Sequence, residues 1–224
     1  MPTPNHQGPA FAPISVQLRG SFFSPITPVS NFSAIVNAQK SHYLAAPGIS
    51  YALPSTIIQR GRLGMANLSV ITDLIHSNQL ESKTTNFANV VADKWSILQQ
   101  DLTQMLRNLQ QDRNTAEFER TVRERASQSK DEYNQAVDDY VDQIITLGTK
   151  HPQIQNTTIV TVNDVFDVVS SAAQSVYQFF DDLLGQVREV IDSIVEWVSE
   201  TINKIGETIG DAVSSVVSAI GDLF

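Results

Sequence analysis

The sequence predicts a mainly α-helical protein, namely a long antiparallel helical hairpin or bundle preceded by a proline-rich extended arm with at most a short strand or hairpin. Apolar residues recur at helical spacing from Val162 to Leu223, and a second run with this spacing extends from Phe87 to Leu147. This periodicity is typical of amphipathic helices. A chain of 224 residues is long enough for one domain with a tail.

The arm is predicted from the distribution of proline. Eight of the nine prolines lie in the first 54 residues. Each proline ring removes a backbone donor and clashes with the preceding turn, so this density disfavours a long helix. Large apolar side chains such as Phe22 and Phe23 argue against a solvated tail, and the alternation over residues 14–18 is a weak strand signal. We therefore assign residues 1–60 to an extended arm that packs on the chain's own helices or on a neighbouring subunit.

The remainder of the chain divides into a linker region and the hairpin. Helical spacing between Gly64 and Leu80 predicts that residues 61–82 form a short helix and linker. Residues 83–224 are predicted to form the hairpin, with arms of about 84–148 and 163–223. Each arm would be roughly 90 Å long if it ran unbroken.

The stripe on the final arm indicates nearly straight helix packing. Eighteen apolar positions advance 61 residues in 17 steps. This is about 3.6 residues per step, the repeat of a straight α-helix, whereas a supercoiled heptad advances by about 3.5. A flanking apolar row widens the stripe beyond what a two-stranded seam needs.

Aligning the two arms antiparallel leaves an apolar surface without cover. The polar segment Gln110–Glu132 falls opposite residues 177–199, the most apolar part of the final arm. Burying one large side chain is worth about 1.5–3 kcal/mol, so we expect partner subunits to cover this face, with the arm contributing. The predicted self-association surface consists of Phe179, Phe180, Leu183, Leu184, Val187, Ile191, Ile194 and Trp197.

Two further sets of residues stand out near the C-terminus. A row of small residues allows close approach of another helix or simply faces solvent; it consists of Gly206, Gly210, Ser214 and Ser218. The apolar side of the same stretch is a possible face for lipid or a protein partner, made of Ile209, Val213, Val216, Ile220, Leu223 and Phe224.

The negative charge of the chain disfavours some classes of binding partner. The net charge is -9, and residues 151–224 contain two basic and eleven acidic side chains. Nucleic acid binding needs clustered Lys and Arg, so we expect no nucleic acid partner. Anionic lipid surfaces are disfavoured for the same reason, which makes a homo-oligomer or a helical protein partner the leading expectation.

The sequence contains no recognisable constellation for chemistry. Cysteine is absent, which excludes disulfides and thiolate metal sites, and the four histidines lie in four separate segments. No phosphate-binding glycine loop or nucleophile elbow occurs. We therefore expect neither an enzyme nor a cofactor or metal. The sequence shows no classical signal peptide and no transmembrane helix, which leaves the cytoplasm, an assembly or virion, or export by a signal-independent route.

Two functions from different classes remain open. The first is a non-enzymatic structural protein that self-assembles through long amphipathic helices, with the N-terminal arm contacting neighbouring subunits; a scaffold for one specific partner cannot be separated from it. The alternative is a membrane-active protein, pore-forming or lipid-inserting, that acts through the C-terminal amphipathic helix.

Overall fold

A computed structural model describes residues 29–68, 75–186 and 191–221, without the side chains of 64–68, 75–78, 191–193 and 219–221. Long helices packed on one another dominate these ranges, as the sequence predicts, and no strand occurs in them. The helices are α1 (Phe32–Ala45), α2 (Ser55–Leu68), α3 (Ile75–Asp112), α4 (Thr115–Lys150), α5 (Gln155–Gln186) and α6 (Ile191–Gly221), with a short 3-10 turn at Pro152–Ile154 before α5.

The four long helices form an antiparallel bundle. Helix α3 packs on α4, α4 on α5, α5 on α6, and α6 back on α3, which is the neighbour pattern of an up-and-down four-helix bundle. Short connections after α3 and α4 require neighbours to run in opposite directions. One end of the bundle therefore combines the beginnings of α3 and α5 with the ends of α4 and α6.

The reversal between α3 and α4 corrects the predicted first arm. Arg113 has φ 52°, a left-handed conformation that stops the helix. The Asn114 side chain then accepts a hydrogen bond from the backbone N–H of Glu117 at 3.1 Å and caps α4. The predicted arm of residues 84–148 is therefore two antiparallel helices and not one helix, because this local turn lies inside the continuous apolar periodicity.

The predicted second arm is also divided. Helix α5 ends at Gln186 and α6 begins at Ile191. The two helices pack against each other, which two successive parts of one straight helix cannot do. The hairpin with two arms of about 90 Å is therefore wrong, and a bundle of helices each about 45–60 Å long takes its place.

The N-terminal region is helical where the structure describes it. Residues 32–45 and 55–60, predicted as extended, lie in α1 and α2, because the prolines flank Phe32–Ala45 and do not interrupt it. Helix α1 packs on α4 and α5, and α2 packs on α5. The predicted strand at residues 14–18 lies outside the described residues. Helix α2 begins before the short helix predicted between Gly64 and Leu80, and α3 begins at Ile75, inside that predicted helix.

The beginning of α5 is enclosed by its neighbours. The sequence predicts that the second arm begins at about residue 163, whereas α5 begins at Gln155 and buries Thr157, Thr158 and Thr161. Gln155 accepts a hydrogen bond from the Val29 N–H at 2.7 Å and donates to the Gly148 carbonyl at 3.0 Å. The hydroxyls of Thr158 and Thr161, in contrast, have no hydrogen-bond partner among the described residues.

The core has two apolar clusters, one toward each end of the bundle. The first joins α1 to the end of the bundle where α5 begins and includes Phe87, Tyr140 and Phe166, with Phe87 and Tyr140 stacked at 4.5 Å between ring centroids. The second lies toward the Arg113 turn and includes Leu102, Phe118 and Phe179. Each cluster joins the beginning of one helix to the end of its neighbour. Neighbouring helices therefore run in opposite directions, in agreement with the antiparallel order.

Two glycines provide a matched test of this packing. A Cβ on Gly148 would lie 2.3 Å from Cζ of Phe32, whereas nothing lies within 4 Å of a Cβ on Gly185. We expect Gly148→Ala to lower the free energy of unfolding by roughly 1–3 kcal/mol through overpacking. Gly185→Ala is expected to raise it by about 0.5–1 kcal/mol through helix propensity. Urea unfolding followed by circular dichroism measures both, and equal effects would contradict the contact of α1 with α4.

Candidate interaction surface

The predicted self-association surface lies inside the bundle. Phe179, Phe180, Leu183 and Ile194 are buried, and Leu184 and Trp197 are half-buried. The Trp197 ring stacks on Phe179 with centroids 5.7 Å apart and planes 12° from parallel. The side chains of Val187 and Ile191 lie outside the described residues.

The chain itself provides the cover for this surface. The second half of α3 contributes Leu98, Leu102, Leu106 and Leu109, and the first turns of α4 contribute Phe118 and Val122 to the same cluster. The described part of this face is therefore covered by side chains of the same chain. Because the chain turns back at Arg113, two helices, α3 and α4, cover this face, whereas the antiparallel hairpin predicts only the polar segment opposite it.

The small-residue row lies mainly on the outside of α6. Gly210, Ser214 and Ser218 are exposed, and Gly206 is half-buried. A Cβ on Gly206 would lie 3.5 Å from Nε1 of Trp95, an ordinary contact, and nothing lies within 4 Å of a Cβ on Gly210. Packing within the described chain therefore does not require glycine at either position.

Half of the third predicted set, the lipid or partner face, lies in or against the core, and the side chains of the other half are outside the described residues. Ile209 and Val216 are buried and Val213 is half-buried, so the described part of this face is turned toward α3 and α5. The side chains of Ile220, Leu223 and Phe224 lie outside the described residues. Val217, which is not among the predicted residues, is 41% exposed.

The outer surface of α6 is acidic. Glu196, Glu200, Glu207 and Asp211 are exposed along it, with Lys204 among them. The surface accessible to a partner on α6 therefore combines small residues, carboxylates and one exposed valine. A partner approaching the folded bundle meets this surface, whereas the apolar stripe faces inward.

A cluster of polar side chains connects α1 to α5 through hydrogen bonds. The Tyr43 hydroxyl donates to Oδ1 of Asp167 at 2.6 Å and accepts from the Tyr51 N–H at 3.1 Å. Burial and the bond to Asp167 raise the pKa of Tyr43, so the phenol stays neutral. A nucleophile is activated by a lowered pKa or an adjacent base, and the raised pKa here fits a structural role.

Arg125 is a residue that sequence reasoning misplaced. The charge-rich segment around it predicts a solvated surface, and the exposed ion pairs Glu117–Arg120 and Glu119–Arg123 are indeed present there. Arg125 itself is buried and bonds Oδ2 of Asp101 on α3 through Nε at 2.8 Å. Its position three residues after buried Val122 was the available signal, since residues three apart share a helix face.

Comparisons with known proteins identify no function. The chain matches no protein-family profile, no curated protein and no solved structure. Within the described ranges, no group of three or more His, Asp or Glu side chains could hold a metal ion. No helix there is both long enough and apolar enough to cross a membrane.

The burial of the α5–α6 surface can be tested on its most enclosed ring. Phe179 is 2% exposed, and Phe→Ala in a core costs about 3–5 kcal/mol. We expect Phe179→Ala to lower the free energy of unfolding by this amount in dilute solution, where any oligomer has dissociated. Denaturant unfolding at several protein concentrations measures it. A loss seen only at high concentration would instead assign Phe179 to a subunit interface.

Proposed function

We propose that the protein is a non-enzymatic helical-bundle protein that self-associates through the outer face of α6. The proposed contact surface differs from the one that the sequence favours, because the described side chains of that predicted set, such as Phe179 and Ile194, lie in the core. The outer face offers a partner helix Gly210 and Ser214, with Val217 exposed beside them. A small-residue row permits backbones to approach closely.

The environment of Gly210 carries this proposal. Glycine inside a helix costs about 1 kcal/mol relative to alanine, and Gly210 lies well inside α6. Nothing lies within 4 Å of the position that a Cβ would occupy, so the fold of the single chain gives no reason for this cost. A second helix packed on the small-residue row would supply such a reason, since a longer side chain at residue 210 would hold that helix away.

The self-association proposal is tested by a pair of matched substitutions. Gly210→Gln places a long polar side chain on the outer face of α6, and Gly185→Gln makes the same change at an equally open position of α5. Both replace glycine by a better helix former, so both variants are expected to fold. We expect the unchanged protein and Gly185→Gln to sediment as oligomers at micromolar concentration, and Gly210→Gln as a monomer.

Two results of this sedimentation experiment would contradict the proposal. If the unchanged protein sediments as a monomer, the proposal of self-association is wrong. If the two variants oligomerise equally, the outer face of α6 is not the contact surface. Self-association would then use another surface.

The second candidate is a membrane-active protein, and the amphipathicity of α6 favours it. Its inner face is a continuous apolar stripe that includes Ile202, Ile205 and Ile209, and its outer face is polar. Such a helix lies in a membrane interface when its apolar face is released. The glycines and β-branched residues of α6 give it low intrinsic helix propensity, so it depends on the bundle or on another apolar surface. Its acidic outer face disfavours anionic lipid.

Vesicle flotation combined with hydrogen exchange tests this alternative. We expect binding to neutral phosphatidylcholine vesicles to exceed binding to phosphatidylserine-containing vesicles, because the outer face of α6 is acidic. Bound protein should exchange faster in the α3 segment around Leu98 and Leu102, from which α6 has departed. Absence of flotation with both vesicle types would reject membrane activity, and flotation without faster exchange in α3 would reject the release of α6.

A further inference from the structure

Positive charge is concentrated in the N-terminal part of a chain that is acidic as a whole. The first 72 residues contain four basic side chains and no Asp or Glu, whereas residues 151–224 contain two basic and eleven acidic side chains. In the described part of the basic segment, the cations are Lys40 of α1 and Arg60 and Arg62 of α2. The two ends of the chain therefore have opposite charge.

Helix α2 presents Arg60 and Leu63 to solvent. Its inner side is fixed at Gly61, where a Cβ would lie 2.5 Å from Cγ2 of Val160 and 2.9 Å from the carbonyl oxygen of Asn156, so the α2 backbone packs closely on α5. Leu63 is 64% exposed, the largest fraction among the large apolar side chains that the structure describes. Arg60 precedes it by three residues and therefore lies on the same side of the helix.

Arg60 is the cation of this region that its own chain leaves unused. Lys40 pairs with Asp138 of α4 at 2.9 Å. Burial raises the pKa of Asp164 on α5, and the positive charge of Arg62 opposes this rise, so Arg62 acts on a carboxylate of its own chain. Arg60 is exposed and forms no ion pair with any residue that the structure describes. A guanidinium beside an exposed leucine suits an acidic protein surface.

The outer face of α6 has the complementary chemistry. Glu207 and Asp211 are exposed beside Gly210, and nothing lies within 4 Å of a Cβ on Gly210. We propose that α2 of one copy packs on the outer face of α6 in a second copy. Arg60 then faces the two carboxylates, and the open space at Gly210 admits the side chain of Leu63.

This contact joins two different surfaces, which distinguishes it from a two-fold dimer. A pair of copies leaves one α2 face and one α6 face open, so association continues into a ring or an open chain. The inference rests on the proposed self-association through α6 and names the surface that α6 meets. Because the charges are exposed, salt screens them and is expected to weaken the association.

Charge reversal on α2 tests this contact by sedimentation velocity. Arg60→Glu places a carboxylate opposite the acidic face of α6, and like charges across an interface repel each other. We therefore expect the dissociation constant to rise by roughly tenfold or more. Arg107→Glu is the control, because Arg107 is exposed on α3 and its substitution changes the net charge equally. This control should sediment as the unchanged protein does.

A mixture of two variants tests whether the two surfaces differ. Arg60→Glu retains the α6 face and Gly210→Gln retains the α2 face, so the mixture has one intact contact. We expect each variant alone to be monomeric and the mixture to form dimers with one copy of each variant, without larger species. Packing of α6 on α6 instead predicts that Arg60→Glu alone oligomerises fully and that no mixed dimer forms.

Three results would overturn this inference. In the first, Arg60→Glu oligomerises fully while Gly210→Gln is monomeric; the proposed function then stands, and α6 meets a surface other than α2. In the second, Arg60→Glu and Arg107→Glu lose association equally, which reports net charge. In the third, Arg60→Glu abolishes flotation with phosphatidylserine vesicles and leaves oligomerisation unchanged, which assigns α2 to an anionic membrane. A monomeric unchanged protein contradicts the proposed function itself.

Discussion

The reversal of the chain at Arg113 and Asn114 is the constraint on which the bundle depends. It occupies two residues, one with a left-handed backbone and one that caps the next helix. Because of this turn, α3 and α4 lie side by side and present apolar faces to α5 and α6. The large side chains of the α5–α6 pair, Phe179 and Phe180 among them, then find cover within their own chain. A continuous helix through this point would have left them exposed.

The N-terminal helices complete the other end of the bundle. Helix α1 lies on α4 and α5 and brings Phe32 against Gly148, where a side chain on the glycine would collide with the ring. Two hydrogen bonds join the N-terminal region to the beginning of α5: Gln39 of α1 donates to the carbonyl of Ile159 at 3.0 Å, and Gln155 accepts from the Val29 N–H. The part of the predicted arm that the structure describes thus contributes to the fold of its own chain. This placement satisfies polar groups that an exposed helix start would leave to water.

Helix α6 connects the fold to the proposed function. Its apolar stripe serves the core, and its outer face has small residues and carboxylates, including the open Gly210. Self-association through the outer face is compatible with the folded bundle, whereas membrane binding needs the inner face and therefore the departure of α6 from α3. The two proposed functions thus require opposite faces of one helix, which is why hydrogen exchange in α3 separates them.

The sequence by itself determined that the protein is helical and which large apolar residues of α3 to α6 face inward, because periodic burial leaves a 3.6-residue repeat in the order of residues. It could not determine where the helices turn, since the repeat continues across Arg113 and no glycine or proline marks the reversal. Only the tertiary structure decided that α5 begins at Gln155 and that Arg125 is buried against Asp101. Each of these depends on side chains far apart in sequence, whose proximity follows from the packing of four helices and leaves no local pattern in the chain.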